Sequence, residues 1–209
     1  MTRIVLTRHG HVEGIHPERF RGRADVPLTE LGQAQARAVA ARIAAGWTPR
    51  IVYTSPMTRC AVTGHEIAQA CGIESQALGD LNDLDYGAWQ WRIQAEVSAE
   101  SPDLFRTWHQ RPHLMRFPDG DSLQDLVART ANALRFVLAR YPDEEDTVVL
   151  VGHDSVNRAL LLQLLDQPLS AYWRLAQGPC AIDEIIVTES RVQVIRINDT
   201  AHLDSLGTV

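Results

Sequence analysis

Three short apolar runs constrain this chain more than any other feature: RIVLT at residues 3–7, IVYT at 51–54 and TVVLV at 147–151. Each is of strand length and lacks apolar/polar alternation, so each predicts a strand covered on both faces. Each also ends in a polar cluster: Arg8-His9-Gly10, Ser55-Pro56-Met57-Thr58-Arg59 and Gly152-His153-Asp154. Helical stretches separate the runs, and this alternation predicts an α/β fold, a three-layer sandwich around a mostly parallel, doubly wound sheet. Ligands in such sheets bind outside the carboxyl ends of the strands, which is where His9, Arg59 and His153 fall.

Cap signals place the helices. Thr29 followed by Glu30 predicts an N-terminus for a helix reaching Gly46. Ser55-Pro56 reads as the N-cap and first residue of a second helix, with Arg59 on its first turn and an end at Cys71 before Gly72. Ser122 and Asp125 form a capping-box-like pair ahead of an apolar face of Leu123, Leu126, Val127, Leu134 and Leu138. A further helix runs through Ala159–Leu165, and β-rich runs follow at 184–188 and 192–197. Residues 79–121 carry Trp89, Trp91, Trp108 and several prolines without a clean period and read as an insertion that covers something. A length of 209 residues suits one domain spanning 1–209.

The chain has no lysine; all 20 of its Lys and Arg residues are arginine. That excludes a Schiff-base nucleophile, a pyridoxal phosphate anchor and a GxxxxGK[ST] phosphate loop. Arginine still binds phosphate, because its planar fork donates to two oxygens at once. The net charge of −6, without a basic cluster, speaks against a nucleic-acid partner. Cys60, Cys71 and Cys180 are odd in number and form no CxxC pair, against a disulfide framework or structural zinc site. No apolar run is long enough to span a bilayer, and MTRIVLTRHG is too short and charged for a secretion signal, so no membrane partner and a cytoplasmic location are expected.

If the sheet inference holds, Arg8, Arg59, His9, His153 and the helix N-termini meet in one pocket suited to a phosphoryl group. The sequence resembles the histidine phosphatase superfamily in its phosphoglycerate-mutase-like branch. LTRHG at 6–10 matches that family's signature turn, RGRADVPLTELGQAQA at 21–36 is similar to its next block, and Ser55–Arg59 matches the motif with its second phosphate-binding arginine. LNDLDYGAWQW at 81–91 resembles the acid-bearing segment and VGHD at 151–154 the second histidine motif, so the likeness runs from about residue 3 to 188 in the family's order.

The resemblance implies that His9 attacks a phosphate monoester and becomes phosphohistidine, while Arg8, Arg59 and His153 hold the phosphoryl oxygens, with no metal and no cofactor. It points to Asp83 as the proton donor, with Asp85 the rival, and a carboxyl in that role must have a raised pKa to act near neutrality. Neutral His9 and protonated His153 are the states this chemistry requires. Arg21 and Gly22 match the next substrate-contacting pair, and Asp154 is a third candidate contact; Glu13 is either a contact or surface. Val12 and Ile15 replace the family's usual threonine and asparagine, so those contacts do not carry over. Trp89 and Trp91, beside Asp83, could line the pocket.

The expected activity is hydrolysis of a small phosphorylated metabolite by a monomer or homodimer. A mutase is the first alternative, which Arg92, Arg106, Arg111 and Arg116 keep open, and a phosphoester-binding regulatory module the second. Asp83-Leu84-Asp85 mimics the DxD of aspartyl-phosphate enzymes but follows no apolar strand. His11, His16 and Asp25 fit no standard metal spacing. No Cys-x5-Arg loop or GxSxG elbow is present.

Overall fold

A computed structural model describes residues 1–143 and 146–206. The first apolar run becomes β1 (Thr2–Arg8), and the Thr29 side chain accepts from Gly32 N–H to cap α1 (Glu30–Gly46), as expected. β2 is Ile51–Thr54, and α2 spans Thr58–Cys71, closed by Gly72 in the left-handed region. The start of α2 differs from the Ser55-Pro56 reading: Met57 is the N-cap and no side chain caps it. The Ser55 hydroxyl accepts from Met57 N–H at 3.3 Å and also meets His153 Nε2 at 2.8 Å.

A three-residue edge strand, β3 (Ser75–Ala77), follows α2. It carries no apolar alternation and is exposed throughout, so nothing in its composition announced it. Residues 79–121 hold two short helices, α3 (Gln94–Glu100) and α4 (Pro102–Gln110), among single 3-10 turns. The Ser122–Asp125 capping box opens α5 (Leu123–Arg140). Then come β4 (Asp146–Gly152), α6 (Asp154–Leu164), β5 (Ile182–Val187) and β6 (Val192–Asp199).

The six strands form one sheet in the order β3-β2-β4-β1-β5-β6. β1, β2, β3 and β4 are parallel, while β5 runs antiparallel to β1 and to β6. Alternate residues of each buried run face opposite layers. Ile4, Leu6, Tyr53, Val148 and Leu150 pack with Leu126, Val137, Val156 and Leu160 of α5 and α6. Val5, Val52, Val149 and Val151 pack with Val39, Ile43, Cys60 and Ile67 of α1 and α2. This two-sided burial is why the runs are apolar without alternation, and each such side chain contributes about 1.5–3 kcal/mol.

The 79–121 segment is held by an aromatic cluster. Phe117 lies with ring centroids 4.8 Å from Tyr86, 5.0 Å from Trp108 and 5.4 Å from Trp89. Trp173, from a 3-10 turn at Leu169–Arg174, donates its indole N–H to the Trp108 carbonyl at 2.8 Å, tying this cap to the turn after α6.

Candidate active site

β1 and β4 end side by side, so His9 and His153 emerge together. The backbone N–H of His9 donates to Gly152 O at 3.1 Å, and the two imidazoles meet edge to face with centroids 5.2 Å apart. His9 Nδ1 lies 2.7 Å from the Gly10 carbonyl. A carbonyl only accepts, so Nδ1 carries the proton and the lone pair is on Nε2. The turn is packed against the first turn of α1: a Cβ at Gly10 would stand 2.3 Å from Gly32 O, and one at Gly32 would stand 2.0 Å from His11 O.

Arg59, on the first turn of α2, is wholly buried. Its guanidinium donates to Ala24 O at 2.8 Å, Gly22 O at 2.6 Å and Asp83 Oδ2 at 3.1 Å, and its Nε to His153 Nδ1 at 3.3 Å. Gly22 has φ +45°, and a Cβ there would meet Tyr86 at 2.7 Å and Leu84 O at 2.8 Å, so the loop that receives Arg59 needs glycine. Arg8 donates to Gln177 O at 2.7 Å and lies 3.9 Å from Asp154 Oδ1; its buried Nε has no protein partner. A buried donor left open beside the His9 imidazole is suited to an incoming oxyanion.

Asp83 is buried against these groups: Oδ2 faces Arg59 and, at 3.4 Å, His153 Nδ1, while Oδ1 accepts from Ser155 Oγ at 2.5 Å and Leu84 N–H at 2.8 Å. Asp85 turns away, pairing with Arg23 at 3.1 Å and accepting from Gly87 N–H at 2.9 Å. Only the first of the two carboxyls therefore reaches His153.

The cavity in front of His9 is about 220 Å³ and is lined by Arg8, Arg21, Gly22, Asp83 and Asp154, with Arg59 and His153 behind its wall. Arg21 donates to Gly14 O at 2.7 Å, and Asp154 is held bidentately by Arg158, both contacts 3.0 Å. Sequence reasoning missed Ser155, Arg158, Trp173 and Gln177, which also line it. The Asp154/Arg158 spacing of four residues at a helix start was the one available signal for Arg158.

Several expectations change. Trp108 and Trp173 line the cavity, whereas Trp89 is in the core and Trp91 sits outside it under Arg19. Arg92, Arg106 and Arg116 pair with Glu100, Asp103 and Asp125, and neither they nor Arg111 line the cavity. Glu13 is exposed. His11 bonds Thr29 and Asp25 accepts from Thr58, and among the described residues no three His, Cys, Asp or Glu side chains gather as for a metal. A more open cleft of about 810 Å³, lined by Arg3, Trp47, Thr147 and Glu184, lies at the amino ends of β1 and β4, away from the histidines. Among the described residues no helix is long and apolar enough to cross a membrane.

Burial, then the charges of Arg59 and Arg8, holds the His9 imidazole well below its ordinary pKa, so it is neutral and nucleophilic. Burial also pushes His153 down, to about 3, against the attraction of Asp83. The protonated His153 expected from sequence is thus not the state of the empty pocket: Arg59 Nε already donates to its Nδ1. For Asp83, burial favours the protonated carboxyl, but His153, Arg59 and the bonds from Ser155 and Leu84 outweigh it and hold the pKa below the ordinary range. This is opposite to the rise a proton donor requires.

A mostly parallel sheet that brings a neutral, tautomer-fixed imidazole, the buried Arg8 and a carboxyl to one small polar cavity, with the buried Arg59 behind its wall, defines an enzyme site for an oxyanion. The profile of the histidine phosphatase superfamily (branch 1) matches residues 4–200. Phosphoserine phosphatase 1 of Hydrogenobacter thermophilus is 30% identical over 203 residues, covering 97% of this chain and 95% of its own. A probable phosphoglycerate mutase GpmB of an Enterobacter species is 32% identical over 210 residues, covering 98% and 96%. Among solved structures, a mycobacterial glucosyl-3-phosphoglycerate phosphatase complexed with VO3 superposes with a TM-score of 0.86 at 25% identity, over 95% of this chain and 99% of that one. The chain belongs to the histidine phosphatase superfamily, branch 1, and is a phosphoric monoester hydrolase.

Proposed function

We propose that the chain hydrolyses a small, polar phosphate ester through phospho-His9. His9 Nε2 attacks phosphorus, forming the P–N bond as the P–O bond to the leaving group breaks, and Asp83 Oδ2 gives its proton to the departing oxygen. Water then attacks phosphorus, the P–N bond breaks, Asp83 takes the water's proton, and inorganic phosphate leaves. Arg8, Arg59 and His153 carry the charge of the transferring group, which is spread over three oxygens.

The depressed pKa of Asp83 fits this role once substrate is considered. A phosphoryl dianion entering beside Arg59 and His153 takes over the positive charge that keeps Asp83 ionised, and it also raises the proton affinity of both His153 and Asp83. The substrate thereby switches on its own acid. The observation that carries the reading is the His9 tautomer: Nδ1 is committed to Gly10 O and Nε2 is left free in a cavity with an unpartnered arginine donor.

The cavity of about 220 Å³ is below the roughly 300–1,000 Å³ of pockets that enclose drug-sized ligands, so the leaving group is a few heavy atoms, as in phosphoserine or a phosphoglycerate. A mutase needs further free cations to orient a second anion. Arg158 is instead neutralised by Asp154, the four cap arginines lie outside the cavity, and Arg19 and Arg21, which do line it, already donate to the carbonyls of Trp91 and Gly14, which favours the phosphatase.

The test is rapid-quench labelling with a 32P-labelled ester, together with turnover of p-nitrophenyl phosphate and a panel of three-carbon esters, with and without chelator. An acid-labile, base-stable label that is absent in His9→Ala, with chelator-insensitive turnover, is expected. Full turnover in His9→Ala would overturn the mechanism, and binding without turnover in the wild type would make the chain a phosphoester-binding module.

A further inference from the structure

Ser155 is the second residue of α6, two after His153, and is 2% exposed. Its hydroxyl makes a 2.5 Å bond to Asp83 Oδ1, the same oxygen that accepts from Leu84 N–H. The two oxygens of Asp83 therefore have separate occupations. Oδ1 is fastened to neutral donors of the scaffold, and Oδ2 is turned to Arg59, His153 and the phosphoryl position. Without the hydroxyl, one backbone N–H is left to resist rotation of the carboxyl about its χ2, a torsion with a broad and soft profile.

We propose that Ser155 is the positioning residue of the proton donor, clamping Oδ1 so that Oδ2 is presented to the leaving-group oxygen. The inference rests on Asp83 being that donor. The turn from β4 into α6 then supplies two parts of one device: His153 beside the phosphoryl group, and two residues later the clamp on the acid that acts on the other side of the breaking bond.

The clamp also sets when the acid is charged. A hydrogen bond to a carboxylate favours its ionised form, and Ser155 is one of the groups holding Asp83 down. The ionisable groups around Asp83 are Arg59 and Cys60 from α2, His153 after β4, Arg8 ending β1, Arg129 from α5, and Tyr86 and Tyr172 from the cap and its tether. Ser155→Ala leaves all of these in place and removes only the clamp.

The experiment compares the rate of phospho-His9 formation against pH, read by rapid quench so that the hydrolysis step shared by all esters does not enter, for phosphoserine, whose alkoxide must be protonated, and for p-nitrophenyl phosphate, whose leaving group needs no proton. The alkaline limb of that rate reports the acid in the substrate complex. In Ser155→Ala that limb should move up by about one pH unit, the equivalent of one hydrogen bond to a charged acceptor. Phospho-His9 formation from phosphoserine should slow about ten-fold, a part of what general acid catalysis provides, with its half-saturation little changed and formation from p-nitrophenyl phosphate nearly unaffected. Ser155→Thr, which keeps the hydroxyl, should return the limb to its wild-type position. An equal loss on both esters, an unmoved limb in Ser155→Ala, or a limb still displaced in Ser155→Thr would overturn the inference. Asp83→Asn separates the two levels: if it shows no preference for the aryl ester, the assignment of Asp83 itself fails; if it does and Ser155→Ala does not, only the clamp fails.

Discussion

Alanine at Gly32 should disable the enzyme from outside the pocket. Gly32 lies in the first turn of α1, and its added Cβ would stand 2.0 Å from the carbonyl of His11, against the 3.4 Å at which ordinary contact begins, so about 1.4 Å of room must be found. α1 is anchored to the sheet by Val39, Ala40 and Ile43, whereas the Gly10–His11 turn stands free of the ladder at the end of β1, so the turn yields and carries His9 with it. A misplacement of about 1 Å at a reacting group costs on the order of 100-fold in rate. The assay is kcat on p-nitrophenyl phosphate beside a thermal melt, with Gly79→Ala as control, since a Cβ there meets nothing within 4 Å. Alanine is the better helix former by about 1 kcal/mol, so propensity would not account for a loss. Wild-type kcat in Gly32→Ala would refute the argument that the glycine contact sets the position of His9.

Other outcomes follow from the same structure. Asp183 is buried with Oδ2 unpartnered, and burial raises its pKa from 3.8 to about 6; the fold prefers it protonated, so it costs nothing below the unfolded value and its full penalty above 6. Asp183→Asn should therefore stabilise by ~2 kcal/mol more at pH 8 than at pH 4, and melts showing an equal effect at both would reject the shift. Because His9 stays neutral, kcat/KM corrected for substrate ionisation should show no acid limb near the ordinary histidine value of 6.5; a limb there in the wild type would contradict the burial argument. Arg106→Ala and Arg111→Ala should leave kcat/KM within about two-fold, since neither lines the cavity; a ten-fold loss in either would bring the mutase reading back.

The sheet and the paired histidines were legible because their signals are local. Ile4, Val5 and Leu6 are apolar in succession since neighbouring layers take alternate side chains, and Thr29 and Ser122 are caps whose hydroxyls are used within three residues. Ser55 carried the same local signal and gave half the answer: its hydroxyl does accept from Met57 N–H, but it also meets His153, 98 positions away, and the helix begins only at Thr58. The cap was unreadable for a related reason. Trp108, Phe117 and Tyr86 pack on one another and on Trp173, so their spacing follows no helical or strand period. The site was legible in its histidines, arginines and Asp83, while Ser155, Arg158 and Gln177 have roles that exist only after β4, α6 and the chain before β5 have come together. The charge states were not readable at all, since burial and the mutual charges of Asp83, His153 and Arg59 fix them only once the three are packed together.

β1 sits fourth in the sheet, hydrogen-bonded along its length to β4 on one side and β5 on the other. His9 is thus welded to the end of an interior strand, whose amides should exchange only when the whole domain opens. The walls that meet the leaving group hang from Trp108 and Trp173, joined by one indole bond across two separate segments. An evolving or engineered chain can therefore rebuild what it recognises without disturbing how it transfers.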